Sequence, residues 1–178
     1  EESYDTLILS PGAKPVIPPI PGLDQAKRVF TLRTIPDADR IKAYVEEEKP
    51  VSAAVIGGGF IGLEMAENLV ERGVKVSLVE MADQVLPPLD YEMAAIVHDY
   101  LGKSGVQLYL KDGLEALEKE GRLLRLQSGK TLEADMIILA AGVQPESELA
   151  REAGLELGVR GAIKVNRRLQ TSDPDIYA

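Results

Sequence analysis

Residues 51–80 read VSAAVIGGGFIGLEMAENLVERGVKVSLVE, and this stretch decides the fold. VSAAVIG (51–57) is a short, mostly apolar run, the pattern of a strand buried on both faces. Directly after it, Gly57-Gly58-Gly59-Phe60-Ile61-Gly62 satisfies G-x-G-x-x-G. Ile61, Met65 and Leu69 then share one face of a helix, Glu67 and Glu71 lie elsewhere on it, and Gly73 stands where a C′ cap belongs. VKVSLVE (74–80) is a second strand that ends in Glu80, 18 residues after Gly62. Strand, glycine turn, helix, strand and terminal acid together make the dinucleotide-binding fingerprint in its required context. Gly57 permits the tight turn. Gly59 lacks a side chain, so a pyrophosphate can approach the backbone, and Gly62 lets the helix pack closely on the strand. The helix N-terminus offers unpaired N–H groups and partial positive charge to the anion, so Gly58, Phe60 and Ile61 join the three fingerprint glycines as expected binding residues. Glu80 would accept hydrogen bonds from an adenosine ribose. Its carboxylate repels a 2′-phosphate, and Met81 and Ala82 bring no positive charge, which favours NAD(H) over NADP(H). A carboxylate also suits the ribose of FAD, so the fingerprint alone leaves flavin open.

Reading outward, the chain opens with an apolar strand (4–9) and a loop, SPGAKPVIPPIPG, whose five prolines forbid regular structure. A short apolar patch (Val29, Phe30, Leu32) precedes a helix. Its N-cap is Thr34, with Asp37 placed for a capping box, an apolar face of Ala38, Ile41 and Val45, and a stop at Pro50. On the other side, a helix begins at Asp90 or Tyr91, with Met93, Ile96, Val97, Tyr100 and Leu101 as its stripe. VQLYL (106–110) is a third strand. GLEALEKEGRLLRLQSGKTLEAD (113–135) alternates apolar and polar residues around turns at Glu120-Gly121 and Ser128-Gly129, which reads as an antiparallel meander. DMIILAAG (135–142) is again a continuous apolar strand. A short helix (146–153) and a strand (162–165) are expected after it. The fold class this implies is α/β: a Rossmann-like parallel sheet with an antiparallel β-meander, in three layers.

Composition narrows the chemistry. The 178 residues include no cysteine and one histidine, which excludes a disulfide scaffold, a cysteine-ligated metal and a multi-histidine metal site. No residue is assigned a catalytic role and no metal is expected. His98 falls on the polar side of its helix beside Asp99 and is read as a surface residue. A net charge of −9 argues against nucleic acid and an anionic membrane as partners. No apolar run approaches the roughly 20 residues of a spanning helix, and the opening EESYDTLILS is unlike a secretory signal. A soluble, cytoplasmic protein is the expectation. The abrupt start on a strand reads as a chain cut from something larger.

Four stretches resemble the pyridine nucleotide-disulfide oxidoreductase family, which combines FAD and NAD(P)H domains. YDTLILSPGAKP is similar to the family's strand and A-T-G-x-x-P loop, with Ser10-Pro11-Gly12 in place of Ala-Thr-Gly. GGGFIGLEMAENL is similar to its NAD(P)H fingerprint with a trailing glutamate, Glu64. ADMIILAAGVQPE resembles the strand and turn that close the NAD(P)H domain, and TSDPDIYA the stretch before a Gly-Asp pair that contacts FAD. LDYEMAAIVHDYL and the tail are most like the NADH oxidase and coenzyme A-disulfide reductase branch. The resemblance implies an NAD(P)H-binding domain at 33–145, flanked by remnants of an FAD-binding domain at 1–32 and 146–178. The FAD fingerprint, redox cysteine and dimerisation domain would lie outside the chain, and this piece alone would be catalytically inactive. By resemblance, Phe60 shields the flavin and swings aside for the nicotinamide; the alternative is an aromatic packed in the core. Glu64 would lie near the nicotinamide; the alternative is an acid favoured by the helix dipole. Gly142 and Val143 would present backbone to the nicotinamide. Ser10, Pro11 and Gly12 would touch FAD in the parent enzyme only. Two rivals remain: a stand-alone nucleotide-sensing module, and a domain that binds FAD at the same fingerprint.

Overall fold

The apolar runs become strands, and their order in space sets the position of everything else. The computed structural model describes residues 2–178. In chain order the elements are β1 (Leu7–Ile8), β2 (Ala13–Pro15), β3 (Val29–Phe30), α1 (Ile35–Glu48), β4 (Ser52–Ile56), α2 (Phe60–Glu71), β5 (Lys75–Glu80) and α3 (Tyr91–Lys103). Then follow β6 (Gln107–Leu110), β7 (Leu114–Glu118), β8 (Leu123–Leu126), β9 (Thr131–Glu133), β10 (Met136–Leu139), β11 (Val143–Pro145), α4 (Glu148–Glu152) and β12 (Ile176–Tyr177). The chain divides into two compact units: Ile17–Gly142, and a second made of the residues up to Val16 together with Val143–Ala178.

In the larger unit, five parallel strands run in the order β3-β10-β4-β5-β6. Their side chains alternate between two cores, as a period of two requires. Ala53, Val55, Val76, Leu78, Met136 and Ile138 pack against Ile41 of α1, Met65 and Leu69 of α2 and Leu101 of α3. Ala54, Ile56, Val79, Ile137 and Leu139 face Leu117, Leu124 and Leu126 of the β7-β8-β9 meander. Helices, sheet and meander are therefore three layers, as the sequence leads one to expect. Ile20, Leu23, Ala26 and Val29 pack on the meander-side core, so residues 17–32 belong to this unit rather than with the N-terminal strip.

The helix ends follow local chemistry. The Thr34 hydroxyl accepts the Asp37 N–H at 3.4 Å and the Asp37 carboxylate accepts the Thr34 N–H at 2.8 Å, a complete capping box. That backbone bond, with the Thr34 hydroxyl and Arg40, holds the Asp37 carboxyl down at about 2. After α2, Val74 N–H reaches Leu69 O at 3.0 Å and Gly73 N–H reaches Val70 O at 2.8 Å, the Schellman pattern. α3 closes the same way through Val106 to Leu101 and Gly105 to Gly102.

The stripe expected on α3 is corrected. Its packed face is Ala94, Val97 and Leu101, while Met93, Ile96 and Tyr100 are exposed. The helix carries two adjacent i, i+3, i+7 apolar sets, and only one meets the sheet. In the smaller unit, β1 pairs parallel with β12 and β2 antiparallel with β11, around Ala150, Leu155 and Ile176. The strand expected at 162–165 is a single bridge, Leu157 to Ile163. Among the described residues no helix is long and apolar enough to cross a membrane.

Candidate functional site

The carboxyl ends of β10, β4, β5 and β6 open into a cleft of about 320 Å³. It sits where the strand order reverses: from β4 the chain steps through β5 to β6, then returns through the meander to β10 on the other side of β4. Such a switch point is where open α/β sheets hold their ligands. The glycine turn forms one wall. Gly57 adopts φ +113°, and a Cβ there would lie 2.2 Å from the Ala140 carbonyl oxygen, on the strand end that β4 pairs through Ala140 N–H to Ile56 O. A Cβ on Gly62 would lie 2.0 Å from the Gly57 carbonyl oxygen, so the helix abuts the turn backbone. Gly59 is the N-cap of α2, without a side-chain cap, and a Cβ there would meet nothing within 4 Å. Its surroundings are open where the first-turn N–H groups have no intrahelical acceptor.

Glu80 has a task that its place in the sequence did not reveal. Its Oε2 accepts the Gly58 N–H at 2.6 Å and its Oε1 accepts the Ala82 N–H at 2.8 Å. The carboxylate thus clasps the glycine turn to the end of β5. A carboxylate has about four lone-pair sites, so two remain for outside donors. Asp112, on the cleft floor, is fastened too: it accepts from Gly113 N–H at 3.0 Å and from the Ser128 N–H and hydroxyl at 3.0 and 2.5 Å. Burial pushes its carboxyl up, but the Ser128 and Gly113 hydrogen bonds outweigh this and leave it below the ordinary value of 3.8. A carboxyl depressed in the folded state stabilises the fold above its unfolded value, and that contribution is lost as pH falls through the folded value. Asp112→Asn should therefore lower stability by about 1–2 kcal/mol at neutral pH and flatten the loss of stability below pH 3.8. Denaturant titrations across that range check it; parallel acid limbs in variant and wild type would remove Asp112 from the account.

Of the expected residues, Gly57, Gly59, Glu80 and Gly142 line this one cleft. Gly58 and Gly62 are bonded or packed behind it. Phe60 and Ile61 begin α2 and are exposed; at 68% exposure Phe60 is no core aromatic. Glu64 lines a different groove, with Asp39, Lys42 and Arg72 between α1 and α2. Ser10, Pro11, Gly12 and Val143 lie in the smaller unit. The surface reading of His98 is corrected: it is half-buried, and its Nε2 accepts the Val85 N–H at 3.1 Å. The turn 81–90 folds back on the imidazole, a tertiary contact that helical periodicity cannot show. Met81, Gly113, Leu114, Ala140 and Ala141 also line the cleft and were not anticipated. All follow the carboxyl ends of β5, β6 or β10, so the strand order would have found them. Pro18, Ile20 and Pro87 carried no such signal.

Comparison with known proteins covers the whole chain. The family described as pyridine nucleotide-disulphide oxidoreductase matches residues 1–178. An NADH oxidase of Methanocaldococcus jannaschii is 47% identical over 180 residues, covering 100% of this chain and 40% of that protein. The crystal structure of reduced Bacillus anthracis CoADR-RHD superposes with a TM-score of 0.96 at 64% identity, covering 99% of this chain and 32% of that one. A water-forming NADH oxidase of Lactobacillus brevis, solved bound to NADH, has a TM-score of 0.88 at 29% identity, covering 99% of this chain and 39% of that one. The chain thus spans about 40% of the length of the first curated relative.

Proposed function

Because the chain belongs to the pyridine nucleotide-disulphide oxidoreductase family, we propose that the Ile17–Gly142 unit binds NADH and presents its nicotinamide to a flavin held by the rest of a larger enzyme. The observation that carries this reading is the charge of the cleft. Among the described residues, its only charged lining groups are Glu80 and Asp112, both acidic. Two neighbouring anionic groups repel by about 1 to 4 kcal/mol at 4 Å, depending on solvent access, so a 2′-phosphate beside Glu80 is disfavoured while a ribose diol can donate to it. The uncapped start of α2 and the open space at Gly59 suit a pyrophosphate, and the apolar lining by Ile56, Val79 and Leu114 suits a ring system. The Lactobacillus brevis structure, bound to NADH, supports the same reading.

When bound, the nicotinamide supplies the hydride; the chain supplies binding, orientation and exclusion of water. Gly142, beyond β10, offers backbone to the nicotinamide half. The same role for Val143 rests on the family resemblance. The exposure of Phe60 supports its part as a movable shield for the flavin; a position near the nicotinamide for Glu64 rests on the family resemblance alone, since Glu64 lines the groove between α1 and α2 rather than the cleft. Ser10, Pro11 and Gly12 would contact FAD. The family resemblance divides the chain into an NAD(P)H domain at 33–145 and two strips of an FAD domain at 1–32 and 146–178; that the chain parts into two compact units near Val16 and Val143 supports a division of this kind. Calorimetry with NADH, NADPH and FAD tests the reading. NADH should bind about tenfold or more tighter than NADPH. Equal or tighter NADPH binding removes the role given to Glu80, and flavin binding at the cleft in place of NADH overturns the proposal.

A further inference from the structure

His98 is the chain's one histidine, and a short series of contacts joins it to the glycine turn. Its Nε2 accepts the Val85 N–H at 3.1 Å. Val85 is fully buried and packs directly on Gly58, where an added Cβ would lie 3.0 Å from its Cγ1. The next residue, Leu86, donates its N–H to the Gly58 carbonyl at 2.8 Å. Gly58 donates in turn to Glu80. The same turn, 81–90, contributes Met81 and Pro87 to the cleft.

We propose that His98 is a positioning residue for the nucleotide: its neutral imidazole holds the 81–90 turn against Gly58, and protonation lets that turn go. The inference rests on the reading of the cleft as an NADH site. An imidazole nitrogen accepts a hydrogen bond only while it carries no proton; in the cation both nitrogens are donors. Protonation would then set Nε2–H against the Val85 N–H, leaving a buried donor without its acceptor. The turn relaxes away from Gly58, the clasp of Glu80 on the glycine turn loses its backing, and affinity falls. The sign is fixed: binding is tightest at alkaline pH and weakens as pH is lowered.

Other titratable groups surround the site. Glu80 ends β5, and the turn carries Asp83 and Asp90. On α3 stand Tyr91, edge-on to the imidazole at 6.5 Å, with Glu92, Asp99, Tyr100 and Lys103. Asp99 is paired with Lys103, and Tyr100 donates to Glu67 of α2. Lys111, just beyond β6, donates its N–H to the Ala82 carbonyl of the turn at 2.8 Å, while Tyr109 of β6 packs on the meander side of the sheet. A variant that keeps the acceptor but cannot titrate separates His98 from all of them.

The test uses the protein as its gene encodes it, with NAD⁺ as probe so that no electron transfer accompanies binding. Calorimetry at about pH 8 and about pH 5.5 spans the histidine range. Wild type should bind about fivefold more weakly at the lower pH. His98→Gln, whose amide oxygen reaches near the Nε2 position, should match wild type at the higher pH and change by less than about twofold between the two. His98→Leu should be weakened about fivefold at both. The proposal is overturned if wild type and His98→Gln respond alike to pH, or if His98→Leu binds as wild type does at pH 8. Should His98→Leu fail to fold, the first comparison decides. If NAD⁺ binds at neither pH, the reading of the cleft fails, and the inference is decided on selectively [¹⁵N]valine-labelled protein. There the Val85 amide shift must follow pH in wild type and stay fixed in His98→Gln; identical behaviour overturns it.

Discussion

Gly62→Ala should destabilise the larger unit by about 3 kcal/mol and abolish nucleotide binding with it. The new methyl carbon would lie 2.0 Å from the Gly57 carbonyl oxygen, closer than any non-bonded pair allows. Relief requires α2 to move off the turn or the turn to move off β10. Overpacking in a tight site costs about 1–3 kcal/mol, and the upper end applies because the obstructing atom is backbone and cannot swing aside. A second glycine provides the control. Gly102 lies inside α3, and a Cβ there meets nothing within 4 Å; Gly102→Ala should stabilise by about 0.5–1 kcal/mol. Denaturant midpoints at constant slope measure both. If the two variants shift the midpoint in the same direction, the close approach at Gly62 is not what constrains the turn.

Glu80→Ala should weaken NADH binding by about 1–3 kcal/mol and also lower stability by about 1–2 kcal/mol. The two effects have separate causes. Affinity falls because the ribose hydroxyls lose a charged acceptor. Stability falls because the Gly58 and Ala82 N–H groups lose theirs. Glu80→Gln distinguishes them further: its amide keeps one acceptor oxygen but turns an NH₂ group toward one of the two backbone donors, so part of the clasp is lost even though size is kept. Calorimetry and thermal melts on the same samples read both terms. Weakened binding with an unchanged melting temperature would mean the carboxylate serves the ligand alone. A gain in NADPH affinity in either variant is expected from the removal of charge.

The contrast between Glu80 and His98 shows what sequence conveys here. The place of Glu80 beside the glycine turn was legible because strand, turn, helix and acid are close along the chain and their spacing is set by one βαβ unit. The three layers were legible for the same reason: the period of two in the parallel strands and in 113–135 is a local signal. What periodicity could not supply was the choice among equivalent local patterns. α3 has two apolar sets at identical spacing, and only the position of the sheet selects Ala94, Val97 and Leu101 over Met93, Ile96 and Tyr100. The second bond of Glu80, the Val85 acceptor on His98 and the cleft residues beyond β6 and β10 all depend on which segments become neighbours. The strand expected at 162–165 failed similarly, since one bridge to Leu157 does not make a ladder.

The smaller unit is made from two segments that flank Ile17–Gly142, and this fixes an order of events during synthesis. Leu7 pairs with Ile176 and Lys14 with Gln144, so β1 and β2 wait for partners that emerge from the ribosome only after the whole Ile17–Gly142 segment. The Ile17–Gly142 segment has no such dependence: its sheet, helices and meander draw only on residues within it. It can therefore fold while the chain is still growing, since domains generally fold as units as they emerge. Once folded, it replaces a long flexible loop with a compact body, which removes most of the closure entropy that the pairing of β2 with β11 must overcome. A destabilised variant such as Gly62→Ala would then expose the apolar β1 strand, unpaired, for longer during synthesis, and its defect would show as aggregation of newly made chains before it showed as lost activity.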